Sequence, residues 1–143
     1  MSQHGQDSWA ASERTGISCP PSGVEWVVEA VGCEAMRLAD LSLVRAVCEN
    51  VVQRLELRVI GQPQWHQFPG PAGVTGLYLL SESHLACHTF PEHGLATFNL
   101  YCCRRRSSLD WERLLTEQLG ATEVRVREMP RGLTPPARQE AGR

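Results

Sequence analysis

The sequence predicts an α+β fold, a mostly antiparallel sheet with two helices packed on one face. Three observations carry that expectation. Four strand-like runs follow one another between residues 57 and 103 with only loops and turns between them. Two stretches, one near 42–55 and one over 109–119, set apolar side chains on a helical stripe. A further strand-like run precedes the first helix and another follows the second, giving the order β-α-β-β-β-β-α-β.

Taken in order, Glu25-Trp26-Val27-Val28-Glu29-Ala30-Val31 is rich in β-branched and aromatic residues and is stopped by Gly32. Asp40 or Ser42 can cap a helix that runs to about Leu55, with Leu43, Val44, Val47, Val51 and Leu55 on one stripe. The stretch Glu56 to Gln67 contains a second strand, expected at Leu57-Arg58-Val59-Ile60. Pro69-Gly70-Pro71-Ala72-Gly73 is a loop, and Val74 to Leu80 is the third strand. Leu85 to Phe90 is the fourth, stopped by Pro91. Pro91-Glu92-His93-Gly94 turns the chain into the fifth, Leu95 to Cys103. Ser108 can cap the second helix, Leu109 to Leu119, which Gly120 ends. Val124 and Val126 alternate with charge in a last strand, Glu123 to Glu128. Helices on one face leave the other sheet face to be covered, which suggests dimerisation.

Residues 1–22 read as a flexible N-terminal tail and 130–143 as a flexible C-terminal tail, leaving one compact domain over 23–129. The 143 residues carry a net charge of −2, so no overall basic field points to nucleic acid. The run Arg104-Arg105-Arg106 reads as a solvated strand end. No apolar stretch is long enough to span a membrane. The start of the chain lacks the basic and apolar segments of a signal peptide, so a cytoplasmic location is expected. The six cysteines, Cys19, Cys33, Cys48, Cys87, Cys102 and Cys103, include no Cys-x-x-Cys pair and read mostly as buried thiols. Cys102 and Cys103 are adjacent and face opposite sides of a strand.

The chemistry is concentrated in Ser81-Glu82-Ser83-His84-Leu85-Ala86-Cys87-His88-Thr89-Phe90-Pro91-Glu92-His93-Gly94, in a chain that contains no lysine. Without lysine, pyridoxal phosphate has no residue on which to form an internal Schiff base. Three readings of this run compete. A metal site would use His84 and His88, but on a strand residues four apart are separated by about 13 Å. A zinc ion reaches its ligands at about 2 Å, so no metal is expected. The plainer reading is a set of hydrogen-bonded surface groups at a turn. The third reading is self-processing: the Ser83 hydroxyl attacks the Glu82 carbonyl and converts the amide to an ester. Elimination then leaves a dehydroalanine that hydrolyses to a pyruvoyl group. That ketone can form a Schiff base with a substrate amine and accept the electrons of decarboxylation.

Ser81-Glu82-Ser83-His84, His88-Thr89-Phe90-Pro91-Glu92 and Cys103 together resemble the prokaryotic S-adenosylmethionine decarboxylase proenzymes. Gly73-Val74-Thr75-Gly76, His66-Gln67-Phe68, and Glu29 with Gly32-Cys33 extend the resemblance, which covers about 24–128. The resemblance implies that family's two-layer sandwich, cleavage between Glu82 and Ser83, and chains of 82 and 61 residues paired with each other and dimerised. It implies that Ser83 becomes the pyruvoyl cofactor and forms the Schiff base. His88 serves as proton donor and base in processing, with Thr75 assisting. Cys103 protonates the substrate after carbon dioxide leaves. Phe68 and Phe90 stack on the adenine, and Glu92 binds the ribose. The implied activity supplies the aminopropyl donor for spermidine. For Cys103 alone, a buried strand cysteine is the plainer reading.

The chain departs from the family pattern at several points. Phe90 stands for the usual tryptophan, Asn99 for an aspartate, Cys102 for a threonine and Arg104 for a glycine, and Glu25 lies near a usual histidine. The loop Pro69-Gly70-Pro71-Ala72 is one residue longer. A pyruvoyl-dependent ornithine or arginine decarboxylase is therefore the alternative, with Glu25 and Glu29 offering carboxylates on one strand face. A non-catalytic dimeric homologue is the further alternative.

Overall fold

The computed structural model describes residues 22–103 and 108–133 of the 143-residue chain. Both expected tails lie largely outside these residues, and so do Cys19 and the arginine run at 104–106. The elements are β1 (Ser22–Val31), α1 (Ala35–Leu38), α2 (Leu41–Arg54), β2 (Gln64–Gln67), β3 (Val74–Leu80), β4 (Ser83–Phe90), β5 (Leu95–Cys102), α3 (Trp111–Leu119) and β6 (Glu123–Gly132). The six strands form one sheet in the order β2-β3-β4-β5-β1-β6, with every neighbouring pair antiparallel.

Period-two alternation sorts each strand into a core face and an open face. Val24, Trp26, Val28 and Ala30 of β1 face the core with Ala96, Phe98, Leu100 and Cys102 of β5. Leu85, Cys87 and Thr89 of β4 and Val74, Tyr78 and Leu80 of β3 complete that layer. The α2 stripe of Val44, Val47, Cys48, Val51 and Val52 lies over it, beside Trp111, Leu114, Leu115 and Leu119 of α3. Thr89 is the one buried polar residue of this core among the described residues. Its hydroxyl donates to the Leu38 carbonyl at 2.8 Å and accepts the Val74 N–H at 2.9 Å, so nothing is left unpaired.

Asp40 caps α2 by accepting the Leu43 N–H. Asp110, not the expected Ser108, caps α3 through the Arg113 N–H at 3.0 Å. Gly120 ends α3 with φ of 69°. The short α1 has no counterpart in the sequence reading. Its Arg37 donates to the Glu117 and Gln118 carbonyls at the end of α3 and ties the helices together.

Two expected boundaries are corrected. Leu57–Ile60 is not a strand: Val59 makes a single bridge to Leu80, and the paired segment is Gln64–Gln67. Leu57 turns into the core straight after Glu56 at φ of 52°, and Gly61 at φ of 69° breaks the run. The domain also extends past residue 129, because β6 stays paired to β1 through Gly132. Pro130 is accommodated there because β6 is an edge strand.

Among the described residues no helix is long and apolar enough to cross a membrane. Those residues also carry no helix on the second sheet face, where Leu77 and Leu79 are 51% and 60% exposed.

Candidate active site on the open sheet face

The Glu82–Ser83 junction lies at the tight turn between β3 and β4. Ser83 has φ of 141°, a region that a residue with a Cβ enters at a cost of about 1–3 kcal/mol. The Glu82 carbonyl accepts the Cys103 backbone N–H at 2.9 Å, because Ser83 pairs with Cys102 across β4 and β5. The Ser83 Oγ lies 3.1 Å from Nδ1 of His84. A hydroxyl next to a polarised carbonyl can carry out an acyl shift from nitrogen to oxygen. Cys102 is fully buried and Cys103 is exposed on the open side, as strand alternation predicts.

A second cluster occupies the far end of β4. Thr75 and His88 oppose each other across β3 and β4, and the Thr75 hydroxyl makes a short contact with His88 Nδ1. Phe90 lies beside His88 with ring centroids 4.3 Å apart. Phe68, which follows β2, approaches the same imidazole at 5.7 Å. Phe68, His88, Phe90 and Glu92 line a recess of about 210 Å³ floored by Gly73 and Thr89. No Cβ fits at Gly73, where it would sit 2.5 Å from the Thr89 carbonyl oxygen.

The expected site residues thus fall into two groups. Glu82, Ser83 and Cys103 are together; Thr75, His88, Phe68, Phe90 and Glu92 are together. Ser83 and His88 are five residues apart on one strand, about 16 Å at strand rise, so His88 does not reach Ser83 within one chain. The sequence pattern gave the members of both groups and not this separation.

A polar chain beside Ser83 joins residues that no sequence motif connects. His84 Nε2 is 3.2 Å from the Asn99 side-chain oxygen. The Asn99 amide donates to Glu25, which also accepts from Arg131. The Asn99 hydrogen bond holds the Glu25 carboxyl below its ordinary value; Arg131 and His84 act in the same direction, and burial opposes them. Glu29 pairs with Arg127 at 2.8 Å. Both first-strand carboxylates therefore already carry an arginine, which leaves the ornithine or arginine alternative without a free carboxylate on that strand.

The sequence profile of the S-adenosylmethionine decarboxylase family matches residues 24–132. The chain is 36% identical over 110 residues to S-adenosylmethionine decarboxylase proenzyme 2 of Halalkalibacterium halodurans, spanning 76% of this chain and 85% of that protein. It is 35% identical over 111 residues to the S-adenosylmethionine decarboxylase proenzyme of Picrophilus torridus, spanning 77% and 84%. The crystal structure of the adenosylmethionine decarboxylase from Aquifex aeolicus superimposes with a TM-score of 0.65 at 26% identity, covering 85% of this chain and all of that one.

Proposed function

The chain belongs to the S-adenosylmethionine decarboxylase family, and on that premise we propose that it matures by cutting itself at Glu82–Ser83 and then decarboxylates S-adenosylmethionine. It is a carboxy-lyase of that family, and its product is the aminopropyl donor for spermidine synthesis. The cytoplasm is the proposed compartment.

The strained φ of Ser83 supports cleavage at this bond, since breaking the bond releases that strain. The Cys103 N–H on the Glu82 carbonyl supports it further, because that donor strengthens as negative charge develops on the oxygen. The residues fit a pyruvoyl group made from Ser83, and the absence of lysine leaves no pyridoxal alternative. Once formed, that group supplies the electron sink that decarboxylation of an amino acid requires. Cys103 is assigned the proton donor to the substrate carbon, being the exposed thiol next to the cleavage point.

Phe68, Phe90 and Glu92 gathered at one recess is the observation that carries the substrate assignment. Aromatic rings suit a flat adenine, and a carboxylate suits the ribose hydroxyls.

The separation of the two clusters supports a second copy of the chain as the partner. A two-fold axis lying between two copies, parallel to the open face and running across β4 near its middle, would set the His88 cluster of one copy over the Ser83 cluster of the other. We assign the working unit to a homodimer of cleaved chains built on that face, with Leu77 and Leu79 buried between copies. Carbon dioxide release from S-adenosylmethionine, ornithine and arginine, measured side by side, tests the substrate. Release from S-adenosylmethionine alone is expected; release from ornithine or arginine alone would refute the assignment.

A further inference from the structure

The polar chain beside Ser83 has a direction. Glu25 is a carboxylate held ionised by its neighbours, and a carboxylate only accepts hydrogen bonds. The Asn99 amide therefore turns its NH₂ to Glu25 and its carbonyl oxygen to His84. That oxygen only accepts as well, so His84 carries its proton on Nε2. In the neutral ring Nδ1 is then the lone-pair nitrogen, and Nδ1 is the atom that faces the Ser83 hydroxyl. A charge on β1 thus sets the tautomer of a histidine on β4, through an amide on β5.

We propose that His84 is the base that activates Ser83 for attack on the Glu82 carbonyl, with Asn99 and Glu25 as positioning residues. The inference rests on the self-cleavage reading above. As the Ser83 Oγ bonds to the Glu82 carbonyl carbon, its proton moves to His84 Nδ1. The Cys103 N–H holds the carbonyl oxygen through the step. The carbon–nitrogen bond then breaks, and the same proton passes from Nδ1 to the departing nitrogen. An amide becomes an ester with no atom gained or lost.

The groups around His84 suit this role. Glu25 on β1, Arg131 on β6 and Tyr101 on β5 are its titratable surroundings, with Glu82 at the turn; β3 presents Leu79 opposite it. The Tyr101 ring is 5.8 Å from the imidazole and carries the Arg131 guanidinium at 5.2 Å. An aspartate at 99 would set a second carboxylate against Glu25. Asparagine is the neutral donor that lets Glu25 stand there.

The test follows cleavage of the full chain after pulse synthesis, across a range of pH. His84→Ala is expected to slow cleavage about 100-fold or more, with partial recovery in added imidazole. His84→Asn keeps a polar contact to Ser83 but not the base, and is expected to be as slow; the His84 side chain is exposed, so both variants should fold. Asn99→Asp adds negative charge beside the imidazole and is expected to move the acid limb of the rate profile to higher pH, which a purely structural role would not do. Wild-type cleavage with an equal rate in His84→Ala overturns this assignment alone. A wild-type chain that stays whole, like Ser83→Ala, overturns the self-cleavage reading and this one with it.

Discussion

The backbone N–H of Cys103 donates to the carbonyl oxygen of Glu82 at 2.9 Å, so the bond proposed for cleavage and the thiol proposed for catalysis are fixed by one contact. The contact separates two roles of residue 103. Cys103→Ala retains the N–H and is expected to cleave within several-fold of the wild-type rate while losing decarboxylation by about 100-fold or more. Cys103→Pro removes the N–H and is expected to slow cleavage by about 10²–10³-fold. Gel-based cleavage rates and carbon dioxide release check the two separately.

The Thr75 hydroxyl contacts His88 Nδ1, and its proposed part in processing rests on that contact. Thr75→Ser is expected to keep processing and turnover near wild type. Thr75→Val has nearly the same volume but no donor or acceptor, and a lost hydrogen bond of about 1 kcal/mol predicts a fall of about fivefold. Cleavage time courses of the three proteins decide it.

The five-residue separation of Ser83 and His88 makes a prediction about mixed subunits. Ser83→Ala and His88→Ala are each expected to be inactive alone. Co-expressed, they should regain cleavage of the His88→Ala chain, because one copy supplies the serine and the other the histidine. Continued inactivity of the mixture would place His88 outside the site of its neighbour.

Glu25 gives a pH dependence with a defined sign. Its folded pKa lies below the ordinary value of 4.5, chiefly through the Asn99 hydrogen bond. Its contribution to stability is therefore fully present above that ordinary value and is lost as pH falls through the lower folded one. The stability gap between wild type and Glu25→Gln, read from denaturant melts, is expected to be constant near neutrality and to close in acid.

Gly76 is packed under Trp65, and an added Cβ would lie 2.5 Å from the indole ring. Trp65 meets Tyr78 edge-on at 5.9 Å and seals the β2 edge of the core. Gly76→Ala is expected to cost about 1–3 kcal/mol by overpacking, seen as a lower thermal midpoint.

Much of the fold is legible because β3, β5 and α2 each follow one clean period, so Val74–Leu80 and the α2 stripe match the sequence reading closely. The stretch around Leu57–Ile60 misled because β-branched content favours a strand while Glu56 and Gly61 adopt positive φ and break pairing. The four residues of α1 are too few to show a helical period. The members of the site are written in contiguous motifs, but its wiring is not. Asn99 and Glu25 are 74 positions apart and Arg131 is 106 from Glu25, and only strand order brings them together.

Intact-mass measurement of the purified protein decides whether the chain cuts itself at Glu82–Ser83. Two fragments of 82 and 61 residues are expected, the second with a blocked N-terminus at position 83, and a Ser83→Ala chain that stays whole. A single wild-type species of 15.9 kDa after prolonged incubation would contradict it.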